Sequence, residues 1–135
     1  MKIFGVGTDI IRVSRIKNML RKKKLILRLF NKHEILNCKK KINFSNCFAK
    51  RFAAKEAFSK ALGTGIAKGI QFNEIIVLNE KNGKPFIKLI NKTKNIVEKK
   101  LRNKKYKISL SLSDEKIYAV AFVTISIWKI TKLKT

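Results

Sequence analysis

Acidic residues are scarce in this 135-residue chain. Eight Asp and Glu stand against 33 Lys and Arg, giving a net charge of +25. Histidine occurs once, at position 33, proline once, at 85, and cysteine twice, at 38 and 47. His33, Cys38 and Cys47 have no zinc-ligand spacing, and one histidine between Lys32 and Glu34 reads as a solvated surface residue. A Ser-His-Asp triad is excluded on the same ground. Two cysteines make no disulfide framework. With no apolar export segment after Met1-Lys2, they are expected as free thiols in the cytoplasm. The longest apolar run, Ile117 to Ile130, is too short for a helix crossing ~30 Å of hydrocarbon, and its β-branched content reads as a strand. No membrane partner is expected.

The positive charge invites a nucleic-acid reading, but its composition weakens it. Six of the 33 basic residues are Arg and 27 are Lys. That skew, with abundant Asn and Ile, is what an AT-rich coding sequence produces in any protein. Phosphate and base recognition favours Arg forks. An RNA-binding sheet also needs aromatic side chains beside its cations, and Tyr106 and Tyr118 are too few. No nucleic-acid partner is expected. An acidic macromolecule or ligand remains, because such a charge speeds encounter with anions.

Hydrophobic residues make up 45% of the chain, enough for one core. No repeat or linker divides it. The expected organisation is one domain over residues 1–128 and a basic tail over 129–135. Ile3 to Thr8 reads as a short buried strand ending at Asp9. A helix follows with Val13, Ile16, Met19 and Leu20 on one face. Arg12, Arg15, Lys17 and the run Arg21-Lys22-Lys23-Lys24 lie on its other faces. A second helical stretch spans Leu25 to Cys38, and a polar link spans Lys39 to Asn46. The next helix, Phe48 to Leu62, ends at Gly63, which supplies a left-handed cap. Phe72 to Asn79 and Phe86 to Ile90 read as strands joined by an Asn82-Gly83 turn, with Pro85 just after it. Asn91 to Leu101 reads as a helix. Tyr106 to Ser113 alternates apolar and polar residues, a half-buried strand. Asp114-Glu115-Lys116 turns it into a last strand, Ile117 to Ile127. Helices mixed with antiparallel hairpins give an α+β class, a small antiparallel sheet packed with helices.

The helix from Phe48 mixes charge into apolar arcs. At 100° per residue, Phe48, Phe52, Phe58 and Leu62 share an arc with Arg51 and Lys55, and Glu56 and Lys60 lie just beyond it. An ordinary surface helix segregates its charges, so this one is expected to be buried with ionic groups that serve a site. Each group also has a plain reading. Asp9 could cap the following helix. Glu56 and Lys60 could be an i, i+4 ion pair. Gly5-Val6-Gly7 lacks the third glycine of a dinucleotide loop, since position 10 is Ile, and suits close packing instead. Arg21 to Lys24 could be a solvated face or a docking surface. The other six acids read as turns, tails or solvated faces. Asp9 and Glu56 therefore stand out as two hard oxygen ligands in a basic setting, a set that suits Mg²⁺ completed by phosphate and water.

The runs G-V-G-T-D-I at 5–10, F-A-K-R-F-A-A-K-E-A-F-S-K-A-L-G-T-G at 48–65 and N-G-K-P at 82–85 carry a resemblance over nearly the whole chain. The sequence resembles the bacterial holo-[acyl-carrier-protein] synthases, small 4′-phosphopantetheinyl transferases. The resemblance implies a homotrimer with active sites at its subunit interfaces. It implies transfer of phosphopantetheine from coenzyme A to a serine of apo acyl carrier protein, with release of adenosine 3′,5′-bisphosphate. It implies Asp9 and Glu56 as metal ligands, with Lys60 beside them. Arg51, Lys60 and Gly63 fall at coenzyme A contacts, and Gly83, Lys84 and Pro85 at a loop near the nucleotide. Arg15, Arg21, Lys22 and Lys24 fall where the family grips its acidic carrier. In the late strand, where the family often places a histidine beside a phosphate, this chain has Ser109, with Lys107 as a substitute cation. The proton acceptor is left open between Glu56 and a water.

Overall fold

The structure, a computed structural model, describes residues 1–63 and 69–129. Their order is β1 (Lys2–Arg12), α1 (Val13–Met19), α2 (Lys23–Leu29), α3 (Lys32–Lys39), α4 (Phe44–Leu62), a 3₁₀ turn (Phe72–Glu74), β2 (Ile75–Asn79), β3 (Pro85–Leu89), α5 (Asn91–Lys100), β4 (Lys105–Asp114) and β5 (Tyr118–Trp128). β1, β5 and β4 form an antiparallel sheet with β5 in the middle, and β2 and β3 form a separate hairpin. The α+β class is the expected one. Thr64 and Gly65 of the long motif, and residues 130–135 of the expected tail, lie outside the described residues.

α4 is the axis of the core. It buries residues on nearly every side, Arg51 and Lys55 included. Ala49, Ala53, Ala57 and Ala61 repeat every fourth residue and are all buried, which gives one helix face with little side-chain bulk. β1 lies against that face. A Cβ on Gly5 would fall 1.8 Å from the Ala61 carbonyl oxygen, and one on Gly7 would fall 1.9 Å from that of Ala57. Glycine is therefore required here by close backbone approach, the packing alternative for Gly5-Val6-Gly7. On α4's other arcs, Phe48 meets Phe30 edge-on at 4.9 Å and Phe52 meets Phe72 at 6.0 Å.

Several expectations shift. β1 continues to Arg12, so Asp9 sits mid-strand opposite Ala121, and Arg12, not Asp9, precedes α1. The capping alternative for Asp9 falls. α1 ends at Met19, and the basic run sits in the turn after it and the first residues of α2. Two β-branched residues, no acid in its first turn and no cap bond leave α1 little reason to continue. The single helix expected over Leu25 to Cys38 is two, broken at Phe30. Asn31 and Glu34 form a capping box that starts α3. That N-x-x-E spacing is a start signal written in the sequence.

Glu34 also corrects the reading of the acids as solvated. It is fully buried, and Lys55 Nζ donates to its Oε1 at 2.7 Å. The same ammonium donates to the carbonyls of Phe72 (2.7 Å) and Ile75 (2.6 Å). Glu34 Oε2 accepts from the Val77 N–H at 3.1 Å. One ion pair thus ties α3, α4, the 3₁₀ turn and β2 together. Burial pushes the Lys55 ammonium down to about 8, against the pull of Glu34. The cysteines are a further correction. Cys38 and Cys47 form a disulfide, because the turn between α3 and α4 folds their Cα atoms to 5.4 Å, within bridging range.

The Gly7 contact is directly testable. Gly7→Ala should cost about 2 kcal/mol or more by chemical denaturation, because a methyl there meets backbone that cannot rotate away. Unchanged stability would mean that β1 and α4 are not in this register.

Candidate active site

β1 and α4 bring Asp9 to Lys60. Gly5, Gly7 and Asp9 alternate onto the inner face of β1, so the contact that needs two glycines delivers the next inward side chain to the last turns of α4. Lys60 Nζ donates to Asp9 Oδ1 at 3.2 Å and to the Thr8 carbonyl at 2.9 Å. The Asp9 side chain is 17% exposed and that of Lys60 55%, so the carboxylate is sheltered and its cation is open to solvent. The plain Glu56–Lys60 pair is replaced by this Asp9–Lys60 pair.

Glu56 sits one turn before Lys60 and is partly buried. Burial raises its pKa above the usual carboxylate value, and the charge of Asp9 raises it further. Lys60 and Arg15 pull it back down. Glu56 therefore feels charges from β1, α1 and α4. Arg15, expected only as a docking residue, lies within electrostatic reach of Glu56. From Glu56 a cleft of about 710 Å³ opens between α1, α2 and the 3₁₀ turn. Met19, Leu29, Phe52 and Phe72 give it apolar walls, while Arg28 and Asn73 line it with polar groups. Arg28 was hidden in the sequence, because an unbroken helix over Leu25 to Cys38 gave it no distinguishing position.

The other expected contacts lie elsewhere in the chain. Around α4, Arg51 is about 140° from Glu56 and about 180° from Lys60. Its Nη2 donates to Asn79 Oδ1 at 3.2 Å, its Nη1 donates to Cys47 Sγ at 3.1 Å, and its Nε is buried without a partner among the described residues. Burial lowers the Arg51 pKa, against the pull of Glu34. Asn79 in turn donates to the Gly83 carbonyl at 2.9 Å. Arg51 and the Gly83-Lys84-Pro85 turn thus form a second cluster on the opposite side of α4 from Asp9. Asn79 is the link between them, with no signal in the sequence beyond its place before a turn. Gly63 caps α4 at φ 84°, as expected. Ser109 pairs with Thr124 on the outer face of the sheet, apart from both clusters.

Residues 5–122 match the family model of the 4′-phosphopantetheinyl transferase superfamily. The chain belongs to that family. It is 46% identical over 123 residues to the holo-[acyl-carrier-protein] synthase of Pelagibacter ubique, covering 91% of this chain and 96% of that one. Among solved structures it resembles the synthase of Neisseria meningitidis, with a TM-score of 0.81, 33% identity and 92% and 98% of the two chains covered. It also resembles the Bacillus anthracis synthase in complex with CoA (3′,5′-ADP), with a TM-score of 0.75, 35% identity and 93% and 97% covered. The enzyme class is that of the holo-[acyl-carrier-protein] synthases. No helix among the described residues is long and apolar enough to cross a membrane.

The raised pKa of Glu56 sets a sign. A carboxyl whose folded pKa exceeds its unfolded value weakens the fold while ionised, and that loss is recovered as pH falls through the folded pKa. Glu56→Gln should therefore melt at or above the wild-type temperature at pH 7, and the difference should shrink in acid as wild-type Glu56 protonates. A marked loss of stability at pH 7 would mean that ionised Glu56 supports the fold, contrary to its surroundings.

Proposed function

We propose that the chain transfers 4′-phosphopantetheine from coenzyme A to a serine of apo acyl carrier protein, in a Mg²⁺-dependent reaction that releases adenosine 3′,5′-bisphosphate. The observation that carries this reading is the nearness of two carboxylates from separate elements, Asp9 and Glu56, with Lys60 and Arg15 beside them, on a family-matched fold. Asp9 and Glu56 fit Mg²⁺ by their chemistry. Both are hard oxygen donors, each raises the cost of charge on the other, and a small cation relieves that cost. Bound there, Mg²⁺ supplies positive charge against the phosphoryl oxygens in flight. No group of three or more potential ligands gathers among the described residues, which leaves the other coordination positions to substrate phosphate and water.

The chain's own residues account for the remaining steps. The serine oxygen attacks the nearer phosphorus of the pyrophosphate. A P–O bond to serine forms as the bond to the leaving bisphosphate breaks. Lys60 and Arg15 hold fixed positive charge beside that phosphorus. Glu56 can accept the serine proton, since burial already favours its protonated form. The apolar cleft from Glu56 shelters the uncharged pantetheine arm. Arg51, with its unpartnered Nε, and the Gly83-Lys84-Pro85 turn suit the phosphate and adenine end, with Gly63 near the pyrophosphate and Ser109 or Lys107 offering a further contact.

Assembly as a homotrimer reconciles the two clusters. One extended anion cannot touch Asp9 and Arg51 of a single chain without passing around α4. It can do so where two copies meet. The outer face of the sheet supports this: Val6, Ile10, Val120 and Phe122 are all exposed and adjacent in register, an apolar patch that a monomer rarely leaves uncovered. Asp9→Asn and Arg51→Ala should each cut transfer by about 100-fold or more, read as the mass of phosphopantetheine added to apo carrier. Co-expressed in one assembly, the two variants should regain activity, because some sites then combine intact halves. No recovery would sink the shared site. Near-normal transfer by Asp9→Asn would sink the metal reading.

Carrier docking separates from this chemistry at Arg21, Lys22 and Lys24. They are exposed and lie beyond α1, whereas Arg15 acts on Glu56 as well. Arg21→Glu with Lys24→Glu should raise KM for the carrier by about tenfold or more, ~1.4 kcal/mol, with KM for coenzyme A nearly unchanged. Equal damage to both substrates would show that this turn supports the site and does not dock the carrier.

A further inference from the structure

Apart from Met1 and Ile117, the large exposed apolar side chains of the described residues fall into two groups. Ile3, Val6, Ile10, Val120 and Phe122 belong to the sheet. Leu27, Leu36, Ile42 and Phe44 belong to the helices and the turns between them, apart from the sheet face proposed to meet in the trimer. The second group centres on the α3–α4 turn, whose sequence is Lys39-Lys40-Lys41-Ile42-Asn43-Phe44. Ile42 is 98% exposed, with almost nothing to rest on, and Phe44 is 47% exposed. Phe44 continues into a groove of about 660 Å³ lined by Ile26, Leu27, Ile35 and Phe48, with Lys23 and Lys39 at its edge.

We propose that this turn seats the protein on the surface of an anionic bilayer. Three properties point to a lipid surface over a protein groove. Ile42, almost wholly exposed at the tip of the turn, stands out from the fold beside that groove. Five exposed cations outside both the docking set and the cleft, Lys23, Lys32 and Lys39 to Lys41, occupy residues 21–44, and the only acid in that span, Glu34, is fully buried on Lys55. Apolar side chains inserted among lysines are the pattern of interfacial membrane binding. The turn is also held at its base. The Cys38–Cys47 disulfide closes it, the Lys41 N–H donates to the Cys38 carbonyl at 3.1 Å, and Asn46 donates to Asp114 at 2.9 Å and to the Glu115 carbonyl at 2.8 Å. Asp114 is engaged by Lys50 at 3.3 Å as well. A clamped turn presents its side chains without first losing conformational freedom. The expectation of no membrane partner rested on the absence of a spanning segment, which interfacial binding does not need.

The test is co-sedimentation of the full chain with vesicles. An equal mixture of phosphatidylglycerol and phosphatidylcholine should pellet it, and phosphatidylcholine alone should not. A +25 protein will meet any anionic surface to some extent, so position must be separated from charge. Lys39, Lys40 and Lys41→Gln should weaken binding at least about fivefold more than Lys99, Lys100 and Lys104→Gln, a charge-matched change about 30 Å away along β4. Ile42→Asp and Phe44→Ser should each weaken it by about tenfold, with the transfer reaction in solution unchanged. Equal losses from the two lysine sets, or no loss from Ile42→Asp and Phe44→Ser, would overturn the proposal. So would an unchanged vesicle affinity alongside a raised carrier KM in Ile42→Asp, which would assign the turn to carrier docking.

Discussion

The approach of β1 to α4 is the contact on which the rest depends. Two backbones can come this close only because Gly5 and Gly7 face a stripe of alanines, with the Ala57 and Ala61 carbonyls where side chains would otherwise sit. The same alternation that aims the glycines at the helix aims Asp9 at its last turns. Lys60 then reaches Asp9, and Glu56 feels its charge. A wider separation, of the kind larger side chains would impose, would draw Asp9 away from Lys60 and Glu56. The packing constraint and the chemical constraint are therefore one constraint, met by one strand.

A second polar contact fixes the opposite side of α4. Lys55 lies one residue before Glu56, yet its ammonium turns into the core, to Glu34 and two backbone carbonyls. Removing one member of such a pair is costly, because the other remains a buried, uncompensated charge. The pair specifies which way α4 rotates, and with it which flank of the helix Glu56 occupies. It also holds the 3₁₀ turn that forms a wall of the cleft. Neighbouring charges in sequence thus divide into one that orders the core and one that faces the cleft.

Charge is used in two ways on this molecule. Most of the cations are exposed and solvated, where each interaction is screened and weak. A few are held by specific partners: Arg51 on Asn79, Lys55 on Glu34, and Lys60, half exposed, on Asp9. Arg51 and Lys60, so held, lie on opposite sides of α4. Their separation follows from helix geometry, and it is the reason a site shared between chains is proposed.

Much of the fold was legible because its signals are local. The alternation through Tyr106 to Ser113, the Asn82-Gly83 turn, the Gly63 cap and the apolar arcs of α4 each depend on neighbours in sequence, and each reappears in the structure. The scarcity of acids made Asp9 and Glu56 conspicuous before any contact was known. What failed was non-local. Glu34 looked solvated because nothing near it in sequence reveals Lys55, 21 residues away. Cys38 and Cys47 looked like free thiols because their pairing depends on how a turn folds two helices together. Asp9 looked like a strand end because the continuation of β1 to Arg12 is set by its pairing with β5. Residue types and local periodicity determined the elements and the candidate acids. Only the tertiary structure decided which charges are buried, which are shared and which side of α4 each one serves, because those depend on desolvation and distance, quantities that a linear chain does not contain.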